Sequence, residues 1–207
     1  MTFSIVIASH GTDEWEQLAL TRALPSAQAQ GCEVLIGHDS HGTRASVRNA
    51  LSEKATGDWI ITLDADDELA PGYVDAMQAV VDSWRFILRW ELLTPMVQYV
   101  KRGRAQKPRF MPAVWLAKGN WMVVGTAVSR DLLLEVGGWR TFTGSGVLNQ
   151  WDDWDLWIRC VKAGAGISKV PEAVYVAHVS DSPHYKRSPA LTQAWLREIR
   201  EANGIGG

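Results

Sequence analysis

The sequence predicts an α/β domain in which a mostly parallel sheet is flanked by helices and carries a small antiparallel insertion. Three observations lead there. Short apolar runs rich in Ile, Val and Leu fall at residues 3–9, 32–37 and 59–63. Stretches of helical periodicity separate them, and strand-helix alternation of this kind calls for parallel pairing with right-handed crossovers. Each run ends in polar residues: Ser9-His10, His38-Asp39 and Asp64-Ala65-Asp66-Asp67-Glu68. The three strand ends then share one rim, the place where open α/β sheets bind ligands.

The elements follow in order. Thr12 or Asp13 starts the first helix, with Trp15, Leu18 and Ala19 on its inner face and Gly31 at its close. A Gly-Thr pair opens the second helix, 44–54, and Gly57-Asp58 turns into the third strand. Pro71 begins a helix that reaches residue 81. Residues 85–91 alternate charged and apolar, as a half-buried strand does. Residues 96–100 and 109–116 flank a basic turn containing Lys101, Arg102, Arg104 and Lys107, whose cations either face solvent or hold an anionic group. Residues 119–128 read as a strand with glycines that permit close backbone approach. Ser129 caps a short helix closed by Gly137-Gly138, and residues 141–149 read as a loop beside the site. Trp154, Trp157, Ile158 and Val161 recur at i, i+3, i+4 and i+7, which is a buried helix. A strand over 167–176, interrupted at Pro171, runs into His178. An amphipathic helix, 188–202, then sets Leu191, Trp195 and Ile199 on one face.

Composition narrows the class. A net charge of −2 excludes a global attraction to nucleic acid or an anionic membrane. Eleven Trp make either a Trp-padded core or an aromatic platform for sugars or bases. Cys32 and Cys160 form no disulfide framework, which suits a reducing compartment. No apolar run approaches a membrane span, and the amino terminus lacks a basic leader region. The expectation is a cytoplasmic protein without a transmembrane anchor.

Two acidic foci carry the chemistry. Four acids lie within five residues after the third strand, and they repel one another unless a cation neutralises them. A hard divalent ion, Mg²⁺ or Mn²⁺, takes such oxygen ligands; a solvated turn is the alternative. The second focus is Asp152, Asp153 and Asp155 at the start of the Trp-rich helix. Capping by Asp152 or Asp153 and the helix dipole explain one or two of them. A third is more than capping requires, and a carboxylate fixed at a helix start is poised as a general base.

In combination these pieces resemble the family 2 glycosyltransferases. Arg44-Ala45-Ser46-Val47-Arg48-Asn49-Ala50 followed by Gly57-Asp58-Trp59 and Leu63-Asp64-Ala65-Asp66-Asp67 is similar to the family's first signature. Gly137-Gly138-Trp139 resembles its "GGf" and Asp152-Asp153-Trp154-Asp155-Leu156-Trp157-Ile158-Arg159 its "ED.DLW.R". The resemblance covers the first eighty residues and then 119–182. It implies a GT-A (Rossmann-like) single domain and an inverting transferase that uses a nucleotide-sugar donor, most naturally a UDP sugar, with Mn²⁺ or Mg²⁺ as cofactor. Residues 1–92 would form the nucleotide half, 93–187 the acceptor and catalytic half, and 188–207 a terminal helix and tail.

The resemblance also assigns roles. Asp153 would be the base, with Asp152 standing where Glu is usual. Asp66 and His178 would hold the metal. Asp64 would lie near the ribose or base, and Ser9, Asp39 and Arg48 at the donor pocket. From the residues themselves, Trp121, Trp151 or Trp154 offers an aromatic face for a sugar, with the core as the stronger reading for Trp154. Two departures stand out: His38-Asp39 replaces the usual paired acids, and Ala8-Ser9-His10-Gly11 replaces Pro-Thr-Tyr-Asn. They keep open a non-catalytic domain that binds nucleotide sugar or glycan. A nucleotidyltransferase on a similar sheet is a further alternative, and it would not need a base at Asp153. The acceptor is open: a glycan, a protein side chain, a lipid-linked sugar or a modified nucleobase.

Overall fold

The computed structural model describes residues 1–83, 90–113, 116, 118–141, 151–179 and 189–205, with the side chains of 189–192 excepted. Strands β1 (Phe3–His10), β2 (Glu33–Asp39) and β3 (Trp59–Asp64) form the expected parallel unit, with β1 in the middle. Its register aligns His10 with Asp39 and Ala8 with Asp64, so the polar strand ends do share one rim. Between them run helices α1 (Asp13–Leu18), α2 (Leu24–Gln28) and α3 (Arg44–Lys54). A π turn, Ala19–Ala23, joins α1 to α2.

The remaining elements extend the sheet. They are β4 (Glu68–Leu69), α4 (Tyr73–Ser83), β5 (Glu91–Lys101), β6 (Arg104–Ala105), β7 (Ala127–Ser129), α5 (Arg130–Glu135), α6 (Asp152–Lys162), β8 (Gly166–Val179) and α7 (Pro189–Ala202). The sheet order is β2-β1-β3-β7-β5-β8-β4, with β6 paired to β5 as a short hairpin. The long pairings, β1–β2, β1–β3 and β5–β8, are parallel; each antiparallel one spans two residue partners. The fold is thus a mixed α/β domain on a mostly parallel sheet.

The core is continuous across this sheet. Ile5, Ile7, Ile60, Ile61, Leu63 and Leu92 are inaccessible to solvent. Five Trp (59, 139, 154, 157 and 195) are buried, so the core reading of the tryptophans holds for them. Trp151 meets Trp154 and Trp195 edge-on, at centroid distances of 5.8 and 5.5 Å, which fastens α7 to α6.

Several expectations change. Trp15 and Val161, placed on inner faces by periodicity, are 39% and 37% exposed, because α1 has no buried residue and α6 has turned outward by its last turn. The strand expected over 119–128 is only Ala127–Ser129; residues before it leave the sheet to wall a cavity. Pro171 falls within β8, where the register with β5 shifts between Pro95 and Met96. The N-cap of α6 is Trp151, not an aspartate. Most of the strand expected over 85–91, the loop expected over 141–149 and the polar residues after Val179 lie outside the described residues.

Gly57 tests how closely β1 and β3 are joined. A Cβ there would lie 2.5 Å from Ser4 Oγ and 2.7 Å from the backbone of Phe3. The Gly57 N–H also donates to Ser4 Oγ at 2.8 Å. Gly57→Ala is expected to destabilise the fold by about 1–3 kcal/mol through this overpacking, read as a lowered midpoint in urea.

Candidate active site

One helix connects both acidic foci. Arg48 lies on the inner face of α3 and is 1% exposed. Its Nη2 donates to Asp64 Oδ1 at 2.5 Å and its Nη1 to Asp152 Oδ2 at 2.7 Å. Its guanidinium carbon sits 4.3 Å from the centroid of the Trp139 ring. Arg44, one turn earlier, donates to Asp152 Oδ1 at 2.8 Å. Asn49 clasps Trp139 from both sides: its Nδ2 donates to the Trp139 carbonyl at 2.9 Å, and its Oδ1 accepts the Trp139 N–H at 2.8 Å. Gly138 precedes that clasp with φ +68°, and a Cβ would meet Asn49 Oδ1 at 2.5 Å. The two sequence signatures, ninety residues apart, are therefore in direct contact.

The three aspartates of α6 face three ways. Asp152 is buried between the arginines; burial alone would raise its carboxyl, but Arg44 and Arg48 hold it below the usual range. Asp155 is fully buried, accepting from Arg159 at 2.9 Å and from Asn203 of the carboxyl-terminal segment at 2.8 Å. Only Asp153 turns to the cavity. Asn120 Nδ2 donates to its Oδ2 at 3.0 Å, while Asn120 Oδ1 accepts the Met122 N–H at 3.1 Å, which fixes the amide's direction. Burial, and then the adjacent Asp152 carboxylate, push Asp153 up to about 6 against the pull of Arg44 and Arg48. That value suits a group that must accept a proton near neutrality. Before it, Trp151 adopts φ 71°, a left-handed conformation that is costly for a bulky residue. Its ring lines the cavity.

That cavity is about 410 Å³, within the range of small-ligand sites. Asp64, Asp67 and Asp153 supply its acids, and Tyr99, Trp121, Trp151 and Trp154 its aromatic walls. Trp121 and Trp151 both line it. Oxygens of Asp64, Asp66 and Asp67 lie within 4.8 Å of one another. Three carboxylates at that spacing fit a hard divalent cation, which takes oxygen ligands. The turn that carries them is braced from behind. Arg22, in the π turn, donates to the Asp66 carbonyl at 2.8 Å. Ser26 Oγ accepts the Leu69 N–H at 3.2 Å, and Gln30 donates to the Ala70 carbonyl at 3.2 Å. Tyr175 donates to Asp67 Oδ2 at 2.8 Å and accepts the Asp64 N–H at 3.3 Å.

Other sequence-derived candidates are engaged elsewhere. Arg48 is a buried strut and does not line the cavity, since both its hydrogen-bonding nitrogens are committed to carboxylates. Asp152 is spent on the arginines in the same way. Ser9 is buried and bonds His38 Nδ1 at 2.9 Å. Asp39 closes its own turn, accepting from the N–H groups of His41 and Gly42, each at 2.9 Å. His178 Nε2 lies 2.5 Å from Glu68, and its N–H donates to Asp67 at 2.8 Å. His178 therefore reaches the acidic turn but stands outside the three-aspartate group. Sequence reasoning missed Arg44, Asn120, Tyr175 and Asp67 as site residues. Asp67 was legible within the acid run and Arg44 within the first signature, whereas Asn120 and Tyr175 carry no local signal.

The architecture is that of the GT-A glycosyltransferases. S. aureus TarS 1–349 in complex with UDP is 16% identical, with a TM-score of 0.67 over 97% of this chain and 65% of that one. The same protein with UDP-GlcNAc matches at 14% identity, a TM-score of 0.67, and 97% and 67% coverage. GalNAc-T7 with UDP, GalNAc and Mn²⁺ matches at 14% identity, a TM-score of 0.60, and 97% and 48% coverage. At these identities the likeness is one of fold. The chain spans 60% of the length of TarS 1–349 in a further match. Residues 4–90 match the model of glycosyl transferase family 2, which bears out the resemblance read from the motifs. No curated protein matches the chain. No helix among the described residues is long and apolar enough to cross a membrane.

Two substitutions probe the electrostatics. Arg48→Met leaves Asp64 and Asp152 short of a cation and is expected to cost about 3 kcal/mol of stability in urea unfolding at pH 7. Because the Asp152 pKa is depressed in the fold, the stability it contributes is present above the ordinary carboxylate range and lost as pH falls through the folded value. The gap between Arg48→Met and wild type should therefore narrow in acid. Asp153 has the opposite sign: its raised value means that ionising it opposes folding, so its stabilising effect is lost as pH rises through about 6. Asp153→Asn should melt higher than wild type above that pH and match it in acid, measured by thermal melts across pH.

Proposed function

We propose that the chain is an inverting glycosyltransferase that moves a sugar from a UDP sugar to an acceptor hydroxyl, with Asp153 as general base. The observation that carries this reading is the position of Asp153. It is an acid with a value of about 6, oriented by Asn120 and facing the same cavity as Asp64 and Asp67. Residues 1–92 serve the donor in this reading, residues 93–187 the acceptor and the base, and 188–207 close the domain. The UDP and UDP-GlcNAc carried by the TarS relatives favour a uridine donor.

Asp64, Asp66 and Asp67 are the residues that would hold Mn²⁺ or Mg²⁺. Bound there, such an ion would supply positive charge for the leaving diphosphate. The protein does the rest. The acceptor hydroxyl gives its proton to Asp153 while its oxygen bonds to the anomeric carbon. The bond from that carbon to the diphosphate oxygen breaks on the opposite face, and the diphosphate departs with the electron pair. A single in-line displacement of this kind inverts the centre. Trp121 and Trp151 hold sugar faces in place. His178, now on Glu68, stands beside the metal group as a reserve contact. In this reading Asp39, whose Oδ1 takes both N–H groups of its turn, offers its Oδ2 to the nucleobase.

Asp153→Asn is expected to lower kcat by about 10²–10⁴-fold while the thermal shift given by UDP sugar with Mn²⁺ persists. Wild-type kcat/KM should fall on the acid side with an apparent value near 6. Turnover left intact in Asp153→Asn would sink the assignment. Asp66→Asn is expected to abolish the Mn²⁺-dependent part of the donor's thermal shift. Release of pyrophosphate from a nucleoside triphosphate, rather than UDP from a UDP sugar, would replace the reading with nucleotidyl transfer.

A further inference from the structure

The outer wall of the cavity is built from a stretch of one-sided charge. From Leu92 to Arg130 the sequence has three Lys and four Arg and no Asp or Glu, in a chain whose net charge is −2. The same stretch contributes Val97, Tyr99, Met111 and residues 119–124 to the cavity lining. Side chains alternate along a strand, so the face of β5 that presents Val97 and Tyr99 to the cavity continues with Lys101. Lys101 pairs with Arg104 across the hairpin, and directly opposed residues project to the same side. Val97 and Arg109 exchange both backbone hydrogen bonds, at 2.9 and 3.0 Å, which brings Arg109 onto that face as well. Tyr99 registers its charge: burial pushes the phenol up and Arg109 pulls it down. Lys101, Arg104 and Arg109 are all exposed. Lys169 Nζ is 5.6 Å from the ring centroid of Trp121, one of the lining residues.

The floor of the cavity has the opposite sign, with Asp64, Asp67 and Asp153. An anionic acceptor would be turned away by that floor unless cations met it first at the lip. A neutral acceptor needs no such ring. We propose that the acceptor is an anionic glycan, a sugar chain bearing phosphate or carboxylate groups close to the hydroxyl that is modified. Lys101, Arg104 and Arg109 hold those groups at the lip, and the neighbouring hydroxyl reaches Asp153 between Trp121 and Trp151. This rests on the glycosyltransferase reading and adds the acceptor's chemistry to it.

The test uses the whole chain and two independent readouts. The first is fluorescence anisotropy with labelled oligosaccharides of equal length: oligogalacturonate, phosphorylated malto-oligosaccharide and unmodified malto-oligosaccharide. At least one charged probe is expected to bind about tenfold or more tighter than the neutral one at low salt, with the advantage shrinking as salt rises. The stronger charged probe identifies the acid as carboxylate or phosphate. The combined variant Lys101→Glu, Arg104→Glu, Arg109→Glu should lose that advantage. Lys101→Glu alone should cost more than Lys54→Glu, which reverses a cation at the far end of α3. Equal binding of all three probes overturns the proposal, as does a preference that survives the combined variant or an equal loss in Lys54→Glu. The second readout is the thermal shift with UDP sugar and Mn²⁺, which the combined variant should retain. A wild-type chain with no donor shift overturns the glycosyltransferase reading itself, whatever the oligosaccharides do.

Discussion

The structure depends on one buried cation. Arg48 lies between Asp64 at the end of β3 and Asp152 at the start of α6, with Trp139 against its face. A guanidinium out of water is tolerable only if its charge is matched. Both carboxylates must therefore be present and close. That requirement draws together two segments almost ninety residues apart in the chain. Arg44 completes the balance, so that two arginines face two carboxylates. Asn49, adjacent to Arg48, fixes the backbone of Trp139 and thus the ring on which Arg48 rests. Three side chains within two turns of α3 therefore set where both halves of the site begin.

Around that centre the site is made of groups held in unfavourable states. Asp153 is kept near an apolar wall and beside a second carboxylate, which raises its value. Trp151 holds a backbone conformation that a Gly would adopt more easily. Three aspartates of the acidic turn lie close enough to repel one another. Such features cost stability, and well-satisfied surroundings sustain them. Here the surroundings are the side chains Arg22, Ser26, Gln30 and Tyr175, which bind the backbone or carboxylates of the turn. They fix it before any ligand arrives, which limits the reorganisation that binding requires.

The acids that line the cavity and the exposed cations beyond its lining come from different parts of the topology. The acids come from the ends of β3 and the start of α6, whereas the cations come from the β5–β6 hairpin and the segment after it. The sheet order sets β7, β5 and β8 beyond β3, with the β5–β6 hairpin on that half of the sheet. Acidic and aromatic lining residues, with exposed cations further along the strand that carries Val97 and Tyr99, are the consequence of where these elements enter the sheet.

The sequence by itself determined the repeating units. Apolar runs of strand length, a helix period and turn residues are local, and they fixed β1, β2, β3 and α3 with little error, because burial on both faces leaves few other ways to place Ile60, Ile61 and Leu63. The acid runs were legible for the same reason: four acids in five residues after a buried strand demand an explanation. Residues 119–126 misled, since Val123 and Val124 have strand-like chemistry but no strand partner within reach. What only the tertiary structure decided was which identical groups do which task. Asp152, Asp153 and Asp155 are alike in the sequence, yet one is neutralised by arginines, one faces the cavity and one holds the carboxyl-terminal segment. Asn120 and Tyr175 gain a part in the site only by lying next to it. A side chain's charge state and access depend on its neighbours in space, and those neighbours come from parts of the chain that local pattern does not connect.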